Sequence, residues 1–149
     1  MHKTQARRFA LLGATFLGLL LGGCEREPSE AEKARRTEQA LIEGFTRMAE
    51  EYNAKGPTMM DEHTRLDSTE VGPGARISYF YTLPQYASTD FSGSQFLDQV
   101  GPVIRAGTCS DQNILRTLNE GAIYSFIYRG KDGIEIARLD LNRDACPHP

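Results

Sequence analysis

The chain has no apolar run long enough to cross a bilayer. Its one extended apolar stretch, Phe9 to Leu21, has 13 residues, whereas a spanning helix needs about 20 to cover roughly 30 Å of hydrocarbon. Histidine is scarce, with three in all, and none forms an HExxH pair. No glycine-rich phosphate loop, nucleophile elbow or pairing of Cys and His at zinc spacing is present. Those absences remove the common metal-hydrolase, nucleotide-binding and serine-hydrolase readings and leave no cofactor or metal to expect. No repeat of fixed period occurs, which argues against a solenoid. Cysteine numbers only three, an odd count that leaves one thiol to explain.

What is present begins at the N-terminus. Lys3, Arg7 and Arg8 precede the apolar stretch, and Gly22-Gly23 closes it. This is the three-part build of a secretory signal over residues 1–23. The residues after Arg7-Arg8 fit twin-arginine export poorly, so the pair reads as plain positive charge. Leu21-Gly22-Gly23-Cys24 resembles the lipobox of bacterial lipoproteins, in which the leucine and small residues fit the signal peptidase and the cysteine receives diacylglycerol. That resemblance implies a mature chain starting at an acylated Cys24, with palmitate-like chains holding it in the cell envelope. Two or more acyl chains suffice for stable anchoring, at about 0.8 kcal/mol per buried CH2. The alternative is an ordinary secreted protein with a chance cysteine near its cleavage site. By analogy with lipoprotein sorting in enteric bacteria, Glu25 is not the aspartate that favours inner-membrane retention. The expected address is therefore the periplasmic side of the envelope, outer membrane before inner.

Removing residues 1–23 leaves 126 residues, enough for one domain with its own core. The remainder carries 14 Lys and Arg against 20 Asp and Glu, a formal charge of −6. Nucleic acid and anionic lipid surfaces both require a basic footprint, so this sign opposes them as partners. Lipidation of Cys24 also resolves the cysteine parity. Cys109 and Cys146 remain, and in an oxidising compartment a disulfide between them is expected, two free buried thiols being the alternative.

Residues 24–39 are polar, with Ser29 three positions before Glu32 in the spacing of a capping box. A lipid-anchored stalk is expected there, continuing into a packed helix where Leu41, Ile42, Phe45, Met48, Ala49 and Tyr52 recur at helical spacing. Gly56 and Pro57 should end that helix. Residues 40–149 are expected to form a single domain. Thr64 to Val71 and "ARISYFYTL" read as a β-hairpin around Gly72-Pro73-Gly74, and "AIYSFIY" with "IEIARLDL" as a second. Between them, Phe96, Leu97, Val100, Val103 and Ile104 mark a helix bent or interrupted at Gly101-Pro102. Ser110 is positioned to cap a third helix carrying Ile114, Leu115 and Leu118. The expectation is an α+β fold: a four-stranded antiparallel sheet from two β-hairpins, helices packed on one face, and a long N-terminal helix in front.

From Gly56 onward, "MMDEHTRLDS", "ISYFYTL", Cys109, "YSFIYRGKDGIEI" and Cys146 resemble an uncharacterised family of small bacterial envelope proteins. The resemblance implies an α+β domain with a cysteine pair and brings no catalytic residues with it.

Two constellations are candidate sites. Asp61-Glu62-His63-Thr64-Arg65 is the densest ionisable cluster outside the first helix. A histidine beside carboxylates could act as a general base, but in an extended segment Asp61 and His63 share a face that Glu62 and Arg65 do not. A polar loop, with Arg65 paired to an acid, is the plainer reading. Tyr79 and Tyr81 with Tyr124 and Tyr128 could form rows of rings on one sheet face, either as cross-strand packing or as a surface that grips a protein or glycan. The candidate binding surface is thus Asp61, His63, Arg65, Tyr79, Tyr81, Tyr124 and Tyr128. Function is expected to be non-enzymatic: a lipid-anchored periplasmic module that binds a protein partner, accessory to an envelope assembly or secretion system. An inhibitor or immunity lipoprotein against a cell-wall hydrolase is the alternative, and an enzyme using Asp61 and His63 ranks third.

Overall fold

The computed structural model describes residues 27–146. The leader, Cys24 and His148 fall outside them. Helix α1 (Glu30–Ala54) starts where Ser29 Oγ accepts the Glu32 N–H at 3.2 Å, with Glu30 and Glu32 in the first turn. Carboxylates there complement the helix dipole. No residue of α1 before Leu41 is buried; Leu41, Phe45 and Ala49 then recur every four residues on the buried stripe. At 1.5 Å per residue the exposed first part spans about 15 Å. Gly56, at φ +72°, lets the chain turn away.

The sheet has five strands in sequence order: β1 (Thr58–Met59), β2 (Arg65–Gly72), β3 (Arg76–Leu83), β4 (Ile123–Gly130) and β5 (Glu135–Leu141). Both expected hairpins form, β2 with β3 and β4 with β5, each antiparallel. The expected all-antiparallel sheet of four strands is corrected in two respects. The central pair β3 and β4 is parallel, from Arg76 opposite Ile123 to Leu83 opposite Gly130, and β1 adds a short fifth strand through Thr58 opposite Leu66. A hairpin fixes only the direction of its own two strands. Residues 84–122 between the hairpins contain two helices, a connection long enough to carry the chain back to the starting end of the sheet, and that makes the seam parallel.

Those helices are α2 (Gly93–Ser110) and α3 (Gln112–Asn119). The expected break at Pro102 does not occur, and α2 runs through it. Gly101 has no Cβ to meet the proline ring, so the residue before proline keeps helical geometry. Ser110 ends α2 rather than capping α3, and the cap is Asp111, whose Oδ1 accepts the Asn113 N–H at 2.8 Å and the Ile114 N–H at 3.2 Å. Cys109 therefore lies in the last turn of α2. Its disulfide to Cys146 has a Cα separation of 5.5 Å and ties that turn to the segment after β5.

The helices share one face of the sheet, as expected. Ile77 and Tyr124 pack with Leu41, Phe45 and Leu118, while Leu83 and Tyr128 pack with Phe96 and Ala137. Phe126 borders both clusters. The alternate strand positions look the other way, where Arg129 stacks over Phe80 at 4.7 Å and Arg76 donates to Asp140 Oδ2 at 2.9 Å.

The outer edge of β2 is closed by a side chain. Asn53 Nδ2 donates to Thr69 O, and Thr69 N–H donates to Asn53 Oδ1, both at 2.8 Å. The amide stands in for the next strand and blunts an edge open to foreign pairing. Asn53→Ala is expected to lower stability by about 2 kcal/mol, because two part-buried backbone groups lose their partners. Urea denaturation measures it.

Candidate functional site

Helix α1 stands over β2 and β3, while α2 lies against β5 and α3. Between these two walls the inner face of the β3–β4 seam is left partly open, and its rings form the floor. Tyr79 stacks on Phe126 at 5.6 Å and Tyr81 on Tyr128 at 5.0 Å, each pair across the seam. Tyr79 and Tyr81 stack along β3 at 6.4 Å. A cavity of about 690 Å³ opens at one end, lined by Leu41, Phe45, Met48, Tyr52, Tyr79 and Tyr124 among others. A second, of about 580 Å³, opens at the other end, where Tyr81, Tyr128, Phe91 and Phe96 meet Met60 and Val103. The Tyr79–Tyr81 stack links the linings of the two cavities, and the aromatic face they share is termed the groove.

The groove wall exposes more apolar surface than packing requires. Val103 on α2 is 72% exposed and Met60 57%, and the two lie in the lining of the same cavity. Isolated exposed apolar residues are ordinary, but these two flank an open aromatic cavity. The phenols supply polar handles. Tyr124 and Thr117 hydroxyls are 2.9 Å apart, and Tyr79 Oη points at Met48 Sδ at 3.9 Å. Among the described residues the hydroxyls of Tyr81 and Tyr128 have no hydrogen-bond partner, and no side-chain polar atom is both buried and unpaired, so both reach solvent in the groove.

Burial pushes the phenols of Tyr79, Tyr81 and Tyr124 above their usual range and that of Tyr128 up to about 12. A raised folded-state value means that the native protein holds the proton more tightly than the unfolded chain does. That contribution to stability is complete below pH 10.0 and lost as pH climbs through about 12. The urea midpoint is therefore expected to stay level from neutrality to about pH 10 and fall steeply beyond it, in step with tyrosinate absorbance.

Of the seven residues proposed from sequence for a binding surface, the structure brings six to this groove. Tyr79, Tyr81, Tyr124 and Tyr128 line it, and Asp61 and His63 sit at the mouth of the second cavity. Asp61 Oδ1 accepts the His63 N–H at 2.7 Å, a bond that is the main reason its carboxyl lies below the usual range. His63 Nδ1 is 3.2 Å from Gln85 Oε1. Arg65 is not in the groove. It pairs with Asp67, which also accepts from the Thr82 hydroxyl, on the opposite face of the sheet. Among the described residues no group of three or more His, Cys, Asp or Glu is placed to hold a metal, and no helix is long and apolar enough to cross a membrane. Sequence reasoning missed Met48, Tyr52, Met60, Phe91 and Phe96 as groove residues. The surplus of apolar positions on α2, with Val103 beside the Phe96, Val100 and Ile104 stripe, was the one available signal.

No protein family's sequence profile matches the chain, and no curated protein is detectably similar in sequence. Solved structures do share the fold. The pilotin EpsS of the Vibrio vulnificus type 2 secretion system superposes with a TM-score of 0.58 at 14% identity, covering 80% of this chain and 99% of EpsS. The Vibrio cholerae type II secretion pilotin AspS gives 0.56 at 14% identity, over 75% of this chain and 97% of AspS. A Pseudomonas aeruginosa protein described as secreted gives 0.56 at 15% identity, over 73% and 95%. At such identities the likeness establishes a shared α+β fold.

Proposed function

We propose that this chain is a lipid-anchored accessory of a type II secretion system, facing the periplasm from the outer membrane, whose aromatic groove docks a segment of a protein partner. The observation that carries the reading is an open apolar groove, flanked by exposed Met60 and Val103, on a fold shared with two type II secretion pilotins. Leu21-Gly22-Gly23-Cys24 supports the anchor, and the exposed first part of α1 supplies a spacer between lipid and groove. No step of this role calls for catalysis.

The test places a photo-crosslinking amino acid at position 60 or 103 of the full-length protein in its native cell. The expected result is a covalent adduct with an outer-membrane secretion component, while the same probe at Arg138, on the opposite sheet face, gives none. The Cys24→Ala variant should leave the membrane fraction or accumulate unprocessed. Adducts that are equal at all three positions, or absent at 60 and 103, would remove the docking reading.

A further inference from the structure

We infer that the second cavity receives a basic side chain, an arginine above all, from the docked protein segment: aromatic walls take its stem, and Asp61 with the phenol oxygens of Tyr81 and Tyr128 takes its N–H groups. The inference rests on the docking reading above and adds the chemistry of the segment that docks.

Three features converge on a cation with donors. The first is charge. No Lys or Arg lines this cavity, and Asp61 stands at its mouth, whereas the first cavity already has Arg116 among Asp111 and Glu120. Residues 27–146 as a whole hold 13 Lys and Arg against 19 Asp and Glu, so a basic segment is drawn towards the domain before contact. The second is the wall. Tyr81, Tyr86, Phe91, Phe96 and Tyr128 contribute rings to one lining; ring faces attract a cation within about 6 Å, and their apolar surface suits an arginine's alkyl stem. The third is the need for hydrogen bonds. The Tyr81 and Tyr128 hydroxyls have no partner among the described residues, and the Asp61 carboxylate, held by the His63 N–H and approached by Thr64, is exposed and still has acceptor capacity for a further donor. A quaternary ammonium brings no N–H group to these acceptors. A guanidinium brings five, in a planar fork that fits a carboxylate and two phenols together. Asp61 and Tyr128 line the same cavity, and after burial the Asp61 charge is the further influence holding that phenol protonated.

The experiment uses the full-length chain in a nonionic detergent, methyl-labelled at methionine and valine so that Met60 and Val103 report from inside the cavity. Two peptides are titrated, acetyl-Leu-Arg-Ala-amide and its citrulline counterpart, which keeps the shape and most of the hydrogen bonding but not the charge. The arginine peptide is expected to shift both methyls and bind about fivefold tighter than the citrulline peptide, the size of one exposed cation contact. Asp61→Asn should reduce that preference, leaving only the share owed to the rings, and Asp111→Asn at the other cavity should leave it intact. Asp61 is exposed, so the remaining methyl spectrum verifies the fold of the variant. Equal binding of the two peptides, no methyl shift with either at millimolar concentration, or a preference undiminished by Asp61→Asn would each overturn the inference. Photo-adducts at positions 60 and 103 would in those cases still uphold docking, whereas their absence strikes the docking reading itself.

Discussion

Replacing Cys109 and Cys146 together by serine is expected to lower stability by about 4 kcal/mol. The bridge spans 37 residues of sequence, and the chain-entropy relation gives about that figure for a loop of this length. The native state also loses buried apolar surface, because Cys146 is 6% exposed and belongs to the cluster around Leu118 and Tyr124. Two elements are released at once: the last turn of α2 and the short 3-10 turn Arg143–Ala145 that follows β5. Arg105, donating to Ala145 O at 3.0 Å, offers a second direct link between them. Urea denaturation with and without dithiothreitol checks the expectation, since reductant should move the wild type to the position of the double variant and leave the variant unmoved. The same substitution should weaken partner capture, because α2 is one wall of the groove.

That bridge also shows how far the sequence could be read. Its pairing follows from cysteine parity and an oxidising compartment, once Cys24 is assigned to the lipid. The four long strands were legible to within two residues at each end, because Ile77, Tyr79, Tyr81 and Leu83 alternate with Ser78, Phe80 and Thr82 and the hairpins carry glycine at their turns. The direction of the β3–β4 seam was not legible from that alternation. Periodicity says which face a residue takes and nothing about which end of a distant hairpin lies beside it; the length and helical content of residues 84–122 hold that information. Strand β1 carried no signal, being two exposed residues whose only mark is pairing to Leu66 and Arg65. Proximity in sequence groups Arg65 with Asp61 and His63. Strand geometry then sends it away from buried Leu66 to the other face, where Asp67 and Thr82 wait. The groove was half visible: its floor of tyrosines alternates in the sequence, whereas its walls depend on how far apart α1 and α2 settle, a tertiary distance that no local pattern encodes.

Val103→Lys is the substitution expected to separate the fold from the docking function most sharply. Val103 is 72% exposed, and Lys is a good helix former, so the change should leave stability within about 0.5 kcal/mol. In the docked state the same position lies against the partner segment, and the new ammonium must either lose its water unpaired, beside the basic side chain inferred for this cavity, or hold the partner away. An unpaired charge in such an interface costs about 3 kcal/mol or more, which corresponds to a loss of more than about a hundredfold in affinity. Capture of the crosslinked partner should fall by that order while the urea midpoint stays in place. Placed instead at Ile134, 60% exposed in the β4–β5 turn and outside the lining of both groove cavities, the same lysine should leave capture unchanged. The size of an exposed apolar side chain is thus not what matters. Val103 and Ile134 differ in whether rings stand behind them, and a partner that lost affinity equally at both positions would be held by general hydrophobic contact instead of by the groove.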